Sequence, residues 1–377
     1  MPHILGLSDY TIHRENSHFT GKMSGLFNAL DAHYTVIDVV QPHLRGLARQ
    51  VNRALSFHPK VDYWRVLVSA NPHAFRARSR VAGHLIDSQP EPVDLVFQNL
   101  AIFAPGLDFH ERPYVVMTDN THAIAERHWP DWAPYRTRRE HEAFMALEQD
   151  LFHHARVVFT HSHFARNSII NDYGTPADRV VVTGVGSGFT PPAEYDPLPG
   201  RYASQRALFV GYDFERKGGD HLLEAWQSVR KALPDATLQI VGPEVPSAPA
   251  TQGVQWLGRI TDRDRLRRIF DEAACFVMPS LFEPYGLAFI EAMSLGLACV
   301  APEGYGVADI IRSGENGYLV PVGKADPIAD ALIALLGDPA AAESMGRQAR
   351  TDTLNYARWD LVVERMRPHL EAALNRN

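Results

Sequence analysis

The chain has little cysteine, no long apolar run and no excess of positive charge, and each shortage removes a class of function. Two cysteines, Cys275 and Cys299, occur in 377 residues. Both fall in runs that read as buried strands, so thiols in a reducing compartment are expected rather than a disulfide framework. No apolar run approaches the ~20 residues of a membrane span. The first residues, MPHILGLSD, lack a basic region and an apolar signal core, which points to the cytoplasm. Lys and Arg number 37 against 44 Asp and Glu, a net of −7, which is the wrong sign for a nucleic-acid footprint. G-x-G-x-x-G, G-x-x-x-x-G-K-[ST] and G-x-S-x-G are all missing. That removes a dinucleotide fingerprint, a P-loop and a hydrolase nucleophile elbow.

What is present is alternation. Short apolar runs interleave with helical periodicity nearly throughout, which predicts α/β layering on parallel sheets. Expected strands in the first half are Ile4–Leu7, Thr35–Val39, Leu95–Gln98, Tyr114–Met117, Val157–Thr160 and Val180–Thr183. The longest clear helix there is Glu140–His154. Between Gly186 and Ser204 the composition shifts to GSGFTPPAEYDPLPGRYAS, with four prolines and no periodicity. Such a stretch reads as a linker at a domain boundary, with Gly186-Ser-Gly188 as a turn before it. A second alternating series follows, with strands near 208–211, 237–241, 254–257, 275–278 and 299–301. Its helices fall at 219–233, 262–271, 326–336, 340–356 and 359–374. Two doubly wound sheets would leave a cleft between them where ligands bind.

Charge and histidine are unevenly divided. The part up to Ser187 carries 18 Lys/Arg against 19 Asp/Glu, and the remainder 19 against 25. Sixteen of the 18 histidines lie in the first part. No HExxH or Cys/His ligand spacing accompanies them, so they read as polar and cleft histidines rather than a metal site. Asp262-Arg-Asp264 reads as a helix cap and a solvated face, not a metal-binding pair. Arg76, Arg78 and Arg80, and likewise Arg136, Arg138 and Arg139, read first as solvated helix faces. Contact with anionic lipid or polysaccharide is the alternative.

Two segments carry chemistry. Residues 279–302, PSLFEPYGLAFIEAMSLGLACVAP, hold Glu283 and Glu291 around a Pro-Tyr-Gly turn between a strand and a short helix. Backbone N–H groups at such a helix start can hold an anion. A carboxylate one turn further on can accept two hydrogen bonds from a vicinal diol. Residues 209–219, FVGYDFERKGG, bring Arg216 and Lys217 to the end of another strand, beside a helix start. Arg through its fork and Lys as a point charge can neutralise a pyrophosphate there.

With LQIVG, VQWLGRI and GENGYLVPVG-KA-DPIADALIALLGDP, these segments make residues 205–350 resemble the retaining glycosyltransferases of the GT-B fold, family 4 (group 1). TDNTH at 118–122, THSHFARNSIINDYG and DRVVVTGVGSGF extend the resemblance before residue 190. WDLVVERM is similar to the family's last helix. The resemblance implies two Rossmann-like doubly wound parallel-sheet domains facing a central cleft, with the C-terminal helix crossing back to the N-terminal domain. It divides the chain into an acceptor-side domain (1–187), a linker (188–205), a nucleotide-sugar domain (206–357) and the returning helix (358–377).

The resemblance also implies roles. Arg216 and Lys217 would bind the donor diphosphate and stabilise it as it leaves. Glu283 would face the donor sugar and Glu291 would take the ribose diol. Main-chain groups of Tyr285, Gly286, Leu287 and Ala288 would hold phosphate, and Arg259 would flank the base. His122 matches a histidine near the reacting sugar. The chain departs from the pattern twice. Tyr212 stands where the family often has Arg, so Arg216 would substitute. The usual Gly-Gly loop of the first domain is replaced by NSHFTGKMSG, from which Thr20, Gly21 and Lys22 would approach the diphosphate.

The reading is a metal-independent retaining glycosyltransferase moving a hexose-type sugar from a nucleotide-diphosphate sugar to an acceptor hydroxyl, with no cofactor beyond that donor. Its partners would be the nucleotide sugar and the acceptor (a glycan, glycolipid or small molecule), and no nucleic acid. Peripheral association with the inner face of a membrane stays open. The alternatives are a GT-B nucleotide-sugar epimerase or phosphorylase, or a non-catalytic nucleotide-sugar-binding protein.

Overall fold

The computed structural model describes residues 1–15, 18–21, 23–189, 195–244 and 251–375. It divides into two compact units: Met1–Gly184 with Trp359–Asn377, and Val185–Arg358.

The first unit runs β1 (His3–Leu7), β2 (Ile12–Glu15), β3 (His18–Gly21), α1 (Ser24–Asp31), β4 (Thr35–Val40), α2 (Gly46–Leu55), α3 (Val61–Leu67) and α4 (Pro72–Asp87). It continues through β5 (Leu95–Asn99), β6 (Tyr114–Thr118), α5 (His122–His128), α6 (Arg138–His154), β7 (Val158–Thr160), α7 (His163–Asn171) and β8 (Val180–Val182). Its main sheet has the order β4-β1-β5-β6-β7-β8, and every pair in it is parallel. All five residues of β5 and of β6 are buried. This is why parallel strands covered on both faces read as continuous apolar runs. The expected strands match within a residue or two. The β2–β3 antiparallel hairpin was not anticipated; its two mostly exposed strands carry almost no apolar alternation.

Helix starts follow local chemistry. Asn71 caps α4 by accepting from the Ala74 amide at 2.9 Å, with Pro72 at the first helical position. Thr137 caps α6 through the Glu140 amide. These side chains satisfy amides that the helix itself leaves open.

The second unit contains β9 (Arg206–Val210), α8 (Gly219–Ala232), β10 (Thr237–Val241), β11 (Val254–Gly258), α9 (Arg263–Glu272), β12 (Cys275–Val277) and α10 (Leu287–Ser294). β13 (Ala298–Pro302), β14 (Gly317–Val320), α11 (Ala325–Gly337) and α12 (Pro339–Tyr356) complete it. Its sheet has the order β11-β10-β9-β12-β13-β14, again all parallel. The chain winds outward from β9 to β11, then returns to lay β12 against the other side of β9. The loops after β9 and β12 therefore leave the sheet at its topological switch point, where open α/β sheets bind ligands. Residues 201–204 pack on this unit: Arg201 and Tyr202 are buried, and both donate to the Gly296 carbonyl. Cys275 and Cys299 are free and buried, and burial pushes the Cys275 thiol up to about 12.

The last helix, α13 (Trp359–Leu374), belongs to the first unit. Gly25 of α1 lies against the Trp359 indole, leaving no room for a β-carbon. Arg365 donates to the Thr183 carbonyl at 2.7 and 2.9 Å. The C-terminal helix thus crosses back to the N-terminal domain, and both domains are Rossmann-like.

Candidate active site

Arg216 and Lys217 lie in the turn after β9, and Glu283 lies in the turn after β12. Because β9 and β12 pair directly, with Cys275 opposite Ala207 and Phe276 opposite Leu208, the two turns meet. The Leu281 amide donates to the Arg216 carbonyl at 2.7 Å. The Arg216 guanidinium donates to the Phe282 carbonyl at 2.8 Å and to Asp213 at 2.9 Å. Lys217 forms an ion pair with the Glu283 carboxylate, and Arg216 lies 4.0 Å from the same oxygen. Ser280 adds a hydroxyl to that oxygen at 3.4 Å.

Arg216 and Glu283 are buried. Burial pushes the Lys217 ammonium below its usual range; Glu283 opposes that shift and Arg216 adds to it. The bond to Glu283 engages one of the three ammonium donors.

Two glycines allow this approach. Gly218 has φ +74°, and a β-carbon there would strike the Pro279 carbonyl. Gly286 has φ +90° and caps α10, where a β-carbon would meet Phe289 and approach Glu283. Both dihedrals are ones that L side chains rarely adopt. The amides of Leu287 and Ala288 stand at the start of α10, ahead of its first intrahelical bonds. Tyr285, just before, is buried.

Glu291 sits one turn into α10. It accepts from the Arg263 guanidinium at 3.0 Å, and the same nitrogen donates to the Gly188 carbonyl at 2.9 Å. A β-carbon on Gly188 would meet both side chains. Arg263 and Gly188 were not anticipated. Arg263 reads in the sequence as the first residue of a capped helix, and Gly188 as part of a turn. Asp262 does cap α9, accepting from the Asp264 and Arg265 amides. Arg259 is exposed after β11, with its guanidinium 5.4 Å from the Tyr212 ring centre. The tyrosine that departs from the expected pattern is therefore stacked on the cation expected at the base.

Residues 204–338 match the family model described as glycosyl transferases group 1. Over those residues the chain resembles the group 1 glycosyltransferases. Among curated relatives, it is 28% identical over 246 residues to alpha-maltose-1-phosphate synthase of Mycobacterium tuberculosis, covering 58% of this chain and 63% of that protein. It is 34% identical over 137 residues to phosphatidyl-myo-inositol mannosyltransferase of Mycobacterium leprae, covering 34% of this chain and 36% of that protein. The chain thus spans less than two thirds of the length of either.

The fold is similar to that of sucrose-phosphate synthase from Thermosynechococcus elongatus (TM-score 0.71, 18% identity, 99% of this chain and 100% of that one). It is also similar to that of Anabaena HepE, solved in complex with UDP and glucose (TM-score 0.64, 15% identity, 98% and 99% covered). The arrangement of two parallel-sheet Rossmann-like domains is the GT-B fold.

The expected residues outside the matched segment 204–338 lie in the first unit. His122 opens α5, capped by the Thr121 hydroxyl at 3.1 Å. Its ring is buried against Phe144 (4.7 Å between ring centres) and His141 (5.5 Å). Burial, with His141 beside it, lowers its pKa to about 4. The His122 amide donates to both oxygens of buried Glu148, at 3.3 and 3.1 Å. The Tyr173 hydroxyl donates to Glu148 as well, and burial raises the Glu148 carboxyl to about 7.

Thr20 and Gly21 end β3; Thr20 donates to Glu15 at 3.3 Å, and Gly21 has φ +112°. Lys22 lies outside the described residues. Among the first unit's histidines, His110 and His154 both hydrogen-bond Asp150, at 2.8 and 3.0 Å, on the surface. Ordinary histidine–carboxylate pairing accounts for that group.

Proposed function

We propose that the chain is a retaining family 4 glycosyltransferase that moves a hexose-type sugar from a nucleotide-diphosphate sugar to an acceptor hydroxyl without a metal ion. Residues 1–187 are read as the acceptor-side domain, 188–205 as the linker, 206–357 as the donor domain and 358–377 as the returning helix.

One observation carries the reading. Two cations from the β9 turn, a buried carboxylate from the β12 turn and the N-terminus of α10 converge at one switch point. Cations beside helix amides suit a diphosphate. As the sugar–phosphate bond breaks, negative charge grows on the leaving diphosphate. Preorganised donors aimed at growing charge usually make the largest catalytic contribution. Arg216 and Lys217 fill that role, with the Leu287 and Ala288 amides. Glu283 holds Lys217 and orients the sugar hydroxyls. Glu291 takes the ribose diol, Arg259 flanks the base, and His122 is the residue assigned to the reacting sugar. The departing phosphate oxygen takes the acceptor proton on the face it leaves, which retains configuration. No carboxylic acid is then needed to protonate a leaving oxygen, as a glycoside hydrolase requires.

The test begins with a thermal-shift panel of nucleotide sugars, since a specific donor stabilises the fold by mass action. Transfer from the best donor is then followed with excess EDTA, and product anomeric configuration is read by NMR. Transfer with retention that survives EDTA is expected. Donor isomerisation without an acceptor would instead identify an epimerase, and donor binding without turnover across an acceptor panel a binding protein. An inverted product or loss of activity in EDTA would overturn the mechanism.

A further inference from the structure

Residues 45–80 hold eight Lys and Arg against a single acid, Asp62, a net of +7 in a chain whose total is −7. The first unit displays this segment with an unusual apolar stripe. Leu47, Val51 and Leu55 of α2, spaced four apart, share one helix face and are 75%, 42% and 47% exposed. The stripe continues beyond the helix through exposed Phe57 and Val61. Arg45, Arg49 and Arg53 run along the opposite face at the same spacing. Asn52 is the buried residue of the helix; its amide donates to the Val68 carbonyl and anchors α2. Five large apolar side chains exposed within fifteen residues exceed the single scattered residues normal on a soluble surface.

At the end of the stripe lies a groove of about 860 Å³ along α4 and α6, lined by His73, Arg76, Arg80, Arg136 and Arg139. Arg136 joins the two features. It donates to the Leu55 carbonyl and pairs with Glu140. The acids nearby are engaged: Asp62 with Arg65, Asp131 with Lys60, and Glu140 with Arg136. Arg76, Arg80 and Arg139 have no carboxylate within ion-pair distance among the described residues.

The geometry points to this face as a docking surface for an anionic lipid bilayer. An amphipathic helix with leucine and valine on one face and arginine on the other lies in the interface plane, its apolar side chains in the headgroup–acyl boundary. Arginines in the groove then meet lipid phosphates, which they bind through two parallel N–H donors. A polysaccharide would leave the apolar stripe in water. A second copy docked on the same patch would bring together two segments that each carry a net charge of +7, because a twofold interface uses the same patch on both copies.

Flotation of the full chain with vesicles tests this. Binding to phosphatidylglycerol vesicles and none to phosphatidylcholine vesicles is expected, weakening as salt screens the arginines. Leu47→Glu/Leu55→Glu should lower the partition coefficient roughly tenfold or more. Arg76→Glu/Arg80→Glu should lower it roughly tenfold and flatten the salt dependence. All four positions are exposed, so circular dichroism should be unchanged; if the glutamate pair fails to fold, Leu47→Ser/Leu55→Ser must show the loss. Three results would each overturn the proposal: no binding to anionic vesicles, equal binding to neutral ones, or dimerisation of the wild type that the Leu47→Glu/Leu55→Glu chain lacks.

Discussion

Lys217 and Glu283 are 66 residues apart in the chain and share one ion pair at the base of the candidate donor site. Their meeting follows from strand order. The chain winds β9, β10 and β11 outward, then returns β12 to the free side of β9, so the two turns carrying the pair become neighbours. The pair couples architecture to chemistry, because the ammonium expected to meet diphosphate is held by the carboxylate expected to face the sugar.

Lys217→Ala should therefore do two separable things. It removes the nearer cation from buried Glu283, leaving Arg216 4.0 Å away, which costs up to about 3 kcal/mol by the usual measure of broken buried pairs. It also removes charge from the leaving diphosphate, lowering kcat by about 100-fold or more. The double variant Lys217→Met/Glu283→Gln separates the effects: urea unfolding should recover most of the stability, while turnover stays lost. Wild-type-like turnover in purified, folded Lys217→Ala would remove Lys217 from the mechanism.

Glu291 is expected to bind ribose while Arg263 holds it in place. Glu291→Ala should weaken nucleoside diphosphate binding by about tenfold, the value of a hydrogen bond to a charged group. It should leave binding of the 2′,3′-dideoxy nucleotide unchanged. Arg263→Ala should give a smaller loss with the same dependence on the diol. Calorimetry on the four combinations reads this, and equal losses for both nucleotides would show that Glu291 does not meet the ribose.

Gly218 has φ +74°, and a β-carbon there would strike the Pro279 carbonyl. Gly218→Ala should thus lower stability by at least about 1 kcal/mol, since strain and overlap add. It should also lower turnover, because the displaced turn carries Lys217. By contrast, Gly304→Ala meets a positive φ but nothing within 4 Å, so its loss should be smaller and confined to melting temperature.

His122 and Glu148 give opposing pH dependences. Glu148 has its native pKa raised from 4.5 to about 7, so the native state binds more protons than the unfolded one. Stability from this group is present below about 4.5 and is lost as pH rises through about 7. His122 has its native pKa lowered from 6.5 to about 4; its contribution is present above about 6.5 and is lost as pH falls through about 4. The two slopes largely cancel in the wild type between these limits. Glu148→Gln should expose the histidine, so that stability climbs from pH 4 to 6.5. His122→Phe should expose the carboxyl, so that stability falls from pH 4.5 to 7. Denaturant midpoints across this range report both, and parallel profiles would contradict the burial of these groups.

The sequence by itself determined most of the elements and the charged residues that two loops carry. Strands such as β5 and β6 were legible because burial on both faces demands continuous apolar residues. Arg216, Lys217, Glu283 and Glu291 could be singled out because cations and carboxylates beside glycine turns at helix starts form a local pattern that resembles a known family. The β2–β3 hairpin escaped because its residues are mostly polar and exposed, and β14 because four residues after a turn carry no period. Only the tertiary structure decided which residues share a site. The order β11-β10-β9-β12-β13-β14 joins Lys217 to Glu283. Arg263 reaches Gly188, 75 positions away, and Glu291, 28 away. Such contacts leave no mark in local periodicity, because they arise from parallel strands joined by crossovers, in which the sheet, not the chain, sets the neighbours.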